Sequence, residues 1–229
     1  MRIRAERDDL VDVLSRAGRA VSPRSPLPIL QGLLITVSGR MLRVTGTDLD
    51  LTVRTELEVE VLEEGRTVVP ARFLTEAARK LPPGAVVLGT SESEVELSGG
   101  GPRFRFRELL VDDFPVVAEP DLREAIELDG DDFLAALDQV MVAASRDDAR
   151  PVLTGVYFEA TDEGLRLVAT DSYRLALCQL PGVRAAATGL VPVRALRELS
   201  RTVGSKKMQV AIGAREASFA SARGTLSVR

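Results

Sequence analysis

The sequence of 229 residues contains no histidine and no tryptophan, a single cysteine and two tyrosines, and its lysines stand only at Lys80, Lys206 and Lys207. Without histidine there can be no Ser-His-Asp triad, no HExxH zinc site and no imidazole general base, which removes much of hydrolytic and metal-dependent enzymology. One cysteine, Cys178, cannot form an internal disulfide, so nothing depends on an oxidising compartment and a cytoplasmic location is expected. The opening stretch "MRIRAERDDL" carries charges where a signal peptide needs an apolar core, and no apolar run approaches the ~20 residues of a membrane span. No membrane association is expected. "SGGGPR" from Ser98 reads as a hairpin turn rather than a phosphate loop, since neither a helix nor Lys-Ser/Thr follows. Asp112-Asp113 has no neighbouring ligand pattern, so the expectation is no metal and no cofactor. The excess of arginine over lysine reads as genomic base composition.

What is present is ordinary for a soluble globular chain, with 45% hydrophobic and 28% charged residues. The length suffices for one large domain or two with proper cores. A formal charge of −4 argues against nucleic acid as a partner unless the charges are segregated.

The chain resembles itself. "DDLVDVLSRAGRAVSPRSPLPILQGLLITVSGRMLRVTGTD" from Asp8 aligns without a gap on "DDFLAALDQVMVAASRDDARPVLTGVYFEATDEGLRLVATD" from Asp131, with Pro28 on Pro151, Leu30 on Leu153, Gly32 on Gly155 and Thr47-Asp48 on Thr170-Asp171. Leu10, Leu14, Ala17 and Val21 match Phe133, Leu137, Val140 and Ala144, one apolar helical stripe per copy. Two strand-like runs follow in each, joined by "SGR" and "DEG" turns. A second helix recurs further on: "VVPARFLTEAARKLP" from Val68 matches "LVPVRALRELSRTVG" from Leu190, each with Pro in the first helical turn. Opposite its apolar stripe each carries cations: Arg72, Arg79 and Lys80 in one, Arg194, Arg197 and Arg201 in the other. A basic helical face alone is usually a solvated surface, but recurrence at matched positions points to duplex DNA. The strand-rich stretches "TELEVEVLEEG" and "SESEVEL" carry glutamates on one face, so helices read as positive and sheet as negative.

Each copy is thus an α+β unit of two helices packed on a β-sheet, residues 1–124 and 125–229, with the Pro-containing "DDFPVVAEPDL" as the linker. The second copy ends near the register of Arg107, without a counterpart of "ELLVDDFP".

Taken in order, "LPILQGLLI", "LRVTGTDLDL", "TVVPAR", "VDDFP", "RPVLTGV" and "LRLVATDSYRLA" resemble the bacterial DNA polymerase III β subunit, the β sliding clamp, over essentially the whole chain. The resemblance implies repeated DNA-clamp domains, with helices lining a pore around duplex DNA and sheets at the rim, in a non-enzymatic processivity factor that tethers the DNA polymerase III catalytic subunit, the clamp loader and other clamp-motif proteins. A complete subunit of that family carries a third domain and closes as a head-to-tail homodimer; this sequence shows no third copy, so a monomer is expected. The alternative is a clamp paralogue that does not encircle DNA and acts as a decoy or regulator of clamp-binding proteins.

On that resemblance the DNA-facing residues are Arg24, in the "SPRSPLP" loop, with Arg72, Arg79, Lys80, Arg194, Arg197 and Arg201. Arg24 reads equally well as a plain exposed loop arginine. Asp147, in a loop that the resemblance puts on the pore side, counts against DNA contact. The resemblance also places Leu153, Thr170, Ser172, Tyr173, Arg174 and Leu175 around a pocket for the short hydrophobic peptide of polymerases and clamp-loader subunits. The simpler reading of Thr170-Asp171 is a polar strand end whose side-chain oxygens satisfy turn amides. The matching "TGTDLDLTV" of the first copy has no Arg-Leu pair, so only the second copy could carry such a pocket.

Overall fold

The computed structural model describes residues 1–22, 25–183, 188–213 and 215–229. Contacts divide the chain into two compact units, Met1–Ala118 and Glu119–Arg229. The first runs β1 (Arg2–Glu6), α1 (Arg7–Ala17), β2 (Gly32–Ser38), β3 (Met41–Thr47), β4 (Leu51–Glu58), β5 (Glu60–Glu63), β6 (Gly65–Pro70), α2 (Ala71–Lys80), β7 (Ala85–Ser91), β8 (Glu94–Ser98) and β9 (Arg103–Arg107). The second runs β10 (Ile126–Asp129), α3 (Gly130–Met141), β11 (Gly155–Thr161), β12 (Gly164–Thr170), β13 (Leu175–Pro181), β14 (Gly189–Pro192), α4 (Val193–Thr202), β15 (Lys207–Ile212), β16 (Ala217–Ser221) and β17 (Gly224–Val228).

Within each unit the strands form two antiparallel groups rather than one. In the first they are ordered β5-β1-β7-β8-β9 and β4-β3-β2-β6; in the second, β10-β15-β16-β17 and β13-β12-β11-β14. The stretch that would match β5 falls largely on residues 184–187, outside the described residues.

The helices bury the stripes that their periodicity marks. Leu10, Leu14 and Ala17 of α1 and Leu74 and Ala78 of α2 are fully enclosed, in a core shared with Ile3, Leu33, Ile35 and Val44. In the second unit Phe133, Phe158 and Phe219, from α3, β11 and β16, meet with ring centroids 6.2 to 6.4 Å apart, two of the three pairs edge-on. Each stripe loses its last expected member. Val21 and Ala144 lie beyond the helix ends, because α1 tightens into a 3-10 turn at Gly18–Ala20 and Val21 is already extended (φ −85°, ψ 126°). Pro70 and Pro192 are likewise N-caps rather than first-turn residues: both close a strand, in extended conformation, and the helix begins one residue later. "SESEVEL" is half turn, with Ser91–Glu94 closing the β7–β8 hairpin through Glu92 at φ 54°. "SGGGPR" does form the β8–β9 hairpin, where Gly100 and Gly101 take φ values of 60° and 116° that L side chains rarely adopt.

The charge segregation needs revision. The basic helices are α2 and α4; α3 carries Asp131, Asp132 and Asp138 and no cation, and α1 sets Asp8, Asp9 and Asp12 against Arg7 and Arg16. On the sheets several glutamates are neutralised by arginines, with Arg43 bound to Glu56 at 2.8 Å, Arg105 to Glu96 at 3.1 Å and Arg166 to Glu159 at 3.1 Å. Sequence alternation shows which face a glutamate occupies but not what stands opposite it on the next strand.

The duplicated Thr-Asp builds the same turn twice. In the first unit Thr47 Oγ1 accepts from the Leu49 amide (3.0 Å) and donates to the Leu51 carbonyl (3.0 Å), while Asp48 Oδ1 accepts from the amides of Asp50 (3.1 Å) and Leu51 (2.7 Å). In the second, Thr170 Oγ1 accepts from Ser172 (3.2 Å) and donates to the Arg174 carbonyl (2.7 Å), while Asp171 Oδ1 accepts from Tyr173 and Arg174 (both 3.0 Å). Each turn forces its third residue into the left-handed region, Leu49 at φ 84° and Ser172 at φ 79°. That conformation is costly for a leucine. Leu49→Gly is therefore expected to stabilise the protein by about 0.5–1 kcal/mol, read as a raised midpoint in urea; an unchanged or lowered midpoint would show that the turn is unstrained.

Candidate DNA-binding helices and peptide-binding turn

β6 and β14 each deliver the chain through a proline into a helix with one face buried and one in solvent. On α2, Arg72, Arg79 and Lys80 are exposed; on α4, so are Arg194, Arg197 and Arg201. Arg72 and Arg194 hold the same position in the repeat, and each stands four residues before a glutamate, Glu76 or Glu198. Arg72 Nε binds Glu76 Oε1 at 2.8 Å, and that hydrogen bond raises its pKa. Arg79 reaches across to Ser15 Oγ on α1 at 2.9 Å. Part of the cationic face of α2 is thus engaged by neighbouring side chains. Arg24 lies outside the described residues.

The peptide-pocket candidates lie on two loops. Thr170, Ser172, Tyr173, Arg174 and Leu175 form the β12–β13 turn and the start of β13; Leu153 ends a 3-10 turn, Pro151–Leu153, ahead of β11. The residue that ties these loops together is one that sequence reasoning misses, Arg150. Its Nη1 donates to Ser172 Oγ at 3.3 Å and its Nε to Asp147 Oδ2 at 3.2 Å. Only its place beside Pro151, a proline that both copies share, could have singled it out. Asp147 is thereby paired with a cation, which weakens its weight against DNA contact. The walls are apolar and open to solvent: Tyr173 is 94% exposed and Leu175 64%, and Val152 and Leu177 beside them are exposed as well.

Arg174 does not face those walls alone. Its Nε binds Asp171 Oδ2 at 3.0 Å, and the side chain lines a cleft of about 440 Å³ with Asp138, Met141, Val142, Arg146 and Arg197. A residue expected on the peptide site and one expected on the DNA face thus share one cleft, with Arg146 as a third cation.

Asp171 is held by the turn that it builds. The Tyr173 amide, then the Arg174 amide and guanidinium, keep its carboxylate below the usual range. A carboxylate with a depressed folded pKa contributes stability above its unfolded pKa of about 3.9 and loses it as pH falls through the folded value. Amide exchange at Tyr173 and Arg174 should therefore stay protected from neutral pH to about 4 and lose protection below it. Asp171→Ala should remove both the protection and its pH dependence; protection that persists in this variant would mean that the backbone alone holds the turn.

The fold and these positions can be set beside known proteins. Family models match both units, the DNA polymerase III beta subunit N-terminal domain over residues 1–118 and its central domain over residues 127–227. The chain belongs to the DNA polymerase III β subunit family. It is 35% identical to the beta sliding clamp of Micrococcus luteus across 90% of its own length and 67% of that protein's, and 34% identical to that of Streptomyces coelicolor across 90% and 55%. Among solved structures, the Bacillus subtilis DNA polymerase sliding clamp superposes on all of this chain with a TM-score of 0.93 at 26% identity, and a Pseudomonas aeruginosa sliding clamp bound to griselimycin with 0.92 at 27%. Each match covers 64% of the solved clamp chain. The chain thus spans between about half and two thirds of the length of these relatives. None of its described helices is long and apolar enough to cross a membrane.

Proposed function

We propose that this chain performs the binding work of a sliding clamp rather than catalysis: its α2 and α4 faces hold duplex DNA through phosphates, and the β12–β13 turn with Leu153 and Arg150 takes the short hydrophobic peptide of replication partners. The observation that carries the reading is the pairing of Arg72 with Arg194 at one repeat position, on two exposed helix faces of a chain whose net charge is −4. Cations held at one repeat position on two helices of a net negative protein favour the reading that each of these faces meets an anion. Guanidinium contacts to phosphates position a duplex without reading its sequence. Binding of two fluorescent duplexes of unrelated sequence, titrated at several salt concentrations, tests this. Equal affinities that fall linearly with log salt support it; no binding at low salt, or preference for one sequence, would refute it.

The peptide half of the proposal rests on contrast between the copies. Where the second turn presents Ser172, Tyr173, Arg174 and Leu175, the first presents Leu49, Asp50, Leu51 and Thr52. There Leu51 and Thr52 are buried, and Thr52 Oγ1 lies 2.9 Å from Thr47 Oγ1. Of the first turn's two leucines, Leu51 is turned inward and Leu49 stays 45% exposed. The second holds the same backbone but turns its apolar side chains outward, as a site for a partner requires.

A further inference from the structure

The second unit carries a cleft that neither the turn nor the basic helix faces use. It measures about 540 Å³ and opens where β10 ends, β15 begins and β16 turns toward β17, with Glu127, Asp129, Lys206, Lys207 and Gln209 on its walls and Ala220 and Ala222 beside them. Phe219 of β16 stacks on Phe133 of α3, so Val210, its partner in the ladder, faces the helices as well. Strand alternation turns Lys207, Gln209 and Ala220 to the opposite face. Because α4 packs against α3 and β17, a duplex on the arginines of α4 is not what this cleft meets.

The charges of the cleft are unequally engaged. Glu127 Oε1 accepts from Gln209 Nε2 at 3.3 Å, and Asp129 Oδ1, as the N-cap of α3, accepts from the amides of Asp131 (3.0 Å) and Asp132 (3.1 Å). Lys206 and Lys207 are exposed, and neither is paired with a carboxylate among the described residues. Their backbone is nevertheless fixed. The Gly130 amide donates to the Lys206 carbonyl at 2.9 Å, Ser221 Oγ to the Val203 carbonyl at 2.6 Å and Arg223 Nη1 to the Gly204 carbonyl at 3.2 Å. Only glycine fits at position 130, where an added Cβ would stand 1.7 Å from the Ser205 carbonyl oxygen. Ammonium groups on a fastened loop lose less freedom on meeting a ligand than the same groups on a loose one.

The first copy does not repeat these charges. At the matched positions it places Gly84 and Ala85 for the two lysines, Arg4 for Glu127 and Val87 for Gln209. Two of the three lysines in the chain thus stand together at one cleft of one copy. No aromatic side chain lines the cleft to stack on a nucleobase. Lysine offers a compact point charge that suits a carboxylate without the paired geometry of a guanidinium.

We propose that this cleft takes an acidic peptide segment of a protein partner, with two of its carboxylates on Lys206 and Lys207 and an apolar side chain on Ala220 and Ala222. Complementary charge selects the segment, and the small alanines leave room for its side chain. The proposal uses none of the α4 arginines and none of residues 153 and 170–175.

The test is a fluorescein-labelled peptide, Glu-Glu-Leu-Glu-Glu, titrated into the full chain by anisotropy at low salt. Saturable binding is expected, falling as salt rises and weakened about tenfold or more by Lys206→Glu with Lys207→Glu. Ala222→Glu, which sets a carboxylate at an exposed position of the cleft, should weaken it as well while leaving the circular dichroism spectrum unchanged. Arg194→Glu with Arg197→Glu should leave peptide binding as it is in the parent. Absence of saturable binding, binding indifferent to the lysine and Ala222 variants, or loss of binding in the α4 variant instead would overturn the proposal. So would displacement of the peptide by an equal concentration of inorganic phosphate, since the cleft would then take any small anion. Duplex binding by the double lysine variant should keep the salt slope of the parent; a flattened slope would place these lysines on DNA and likewise overturn the proposal.

Discussion

Leu175→Asp is expected to abolish binding of a Gln-Leu-x-Leu-Phe peptide, weakening it by about 100-fold or more. Leu175 opens β13 and is 64% exposed, opposite Thr170 in the ladder, with Leu177 two residues on along the same face. A peptide leucine or phenylalanine seated there would bury apolar surface on both partners, which is worth about 1.5–3 kcal/mol for a side chain of that size. A carboxylate in its place removes that gain and has to be desolvated without a partner, because the neighbouring cation, Arg174, is already held by Asp171. Because the side chain points into solvent, the substitution should leave the fold intact, so loss of binding at an unchanged unfolding midpoint is the expected pair of results. Full binding by the Leu175→Asp protein would remove the turn from the peptide site.

Charge reversal on α4 should act on duplex binding through its salt dependence. With Arg194→Glu and Arg197→Glu together, the slope of log affinity against log salt is expected to flatten by about two units, roughly one for each phosphate no longer neutralised. Both residues are exposed, and the buried face of α4 (Ala195, Leu196 and Leu199) is untouched. The arginines therefore act through the counterions that they displace and not through packing. Arg197 also lines the cleft that holds Arg174 and Arg146, so its reversal lowers the positive charge of that cleft as well. An unchanged slope would show these arginines to be a solvated surface.

Much of this is legible in the sequence because duplication wrote it twice. Leu10, Leu14 and Ala17 against Phe133, Leu137 and Val140 mark both first helices, and the Thr-Asp pairs mark both turns. Local patterning fails at the ends of elements, where Gly18 tightens the chain into a 3-10 turn and where Pro70 and Pro192 cap a helix from a strand. It fails also for charge. The acids of α3 are visible in the sequence but are overshadowed by the cations of α2 and α4, and the arginines that neutralise the sheet glutamates, such as Arg43 beside Glu56, are brought to them only by strand pairing. The meeting of Arg174 with Arg197 cannot be read at all, since a turn and a helix far apart in sequence converge there. Nor can the cleft beside Lys206 and Lys207, whose walls come from three strands and meet only in register.

The central claim is that one turn scaffold occurs in both copies and that only the second is furnished for a partner. Giving the second turn the side chains of the first, with Ser172→Leu, Tyr173→Asp, Arg174→Leu and Leu175→Thr together, tests it in one protein. Thr170 and Asp171, which build the turn, are left in place. Anisotropy titrations with a Gln-Leu-x-Leu-Phe peptide and with a duplex should then show peptide binding abolished and salt-dependent duplex binding retained, with an unfolding midpoint close to that of the parent. Peptide binding that survives the exchange would contradict the account, and so would a second unit that unfolds.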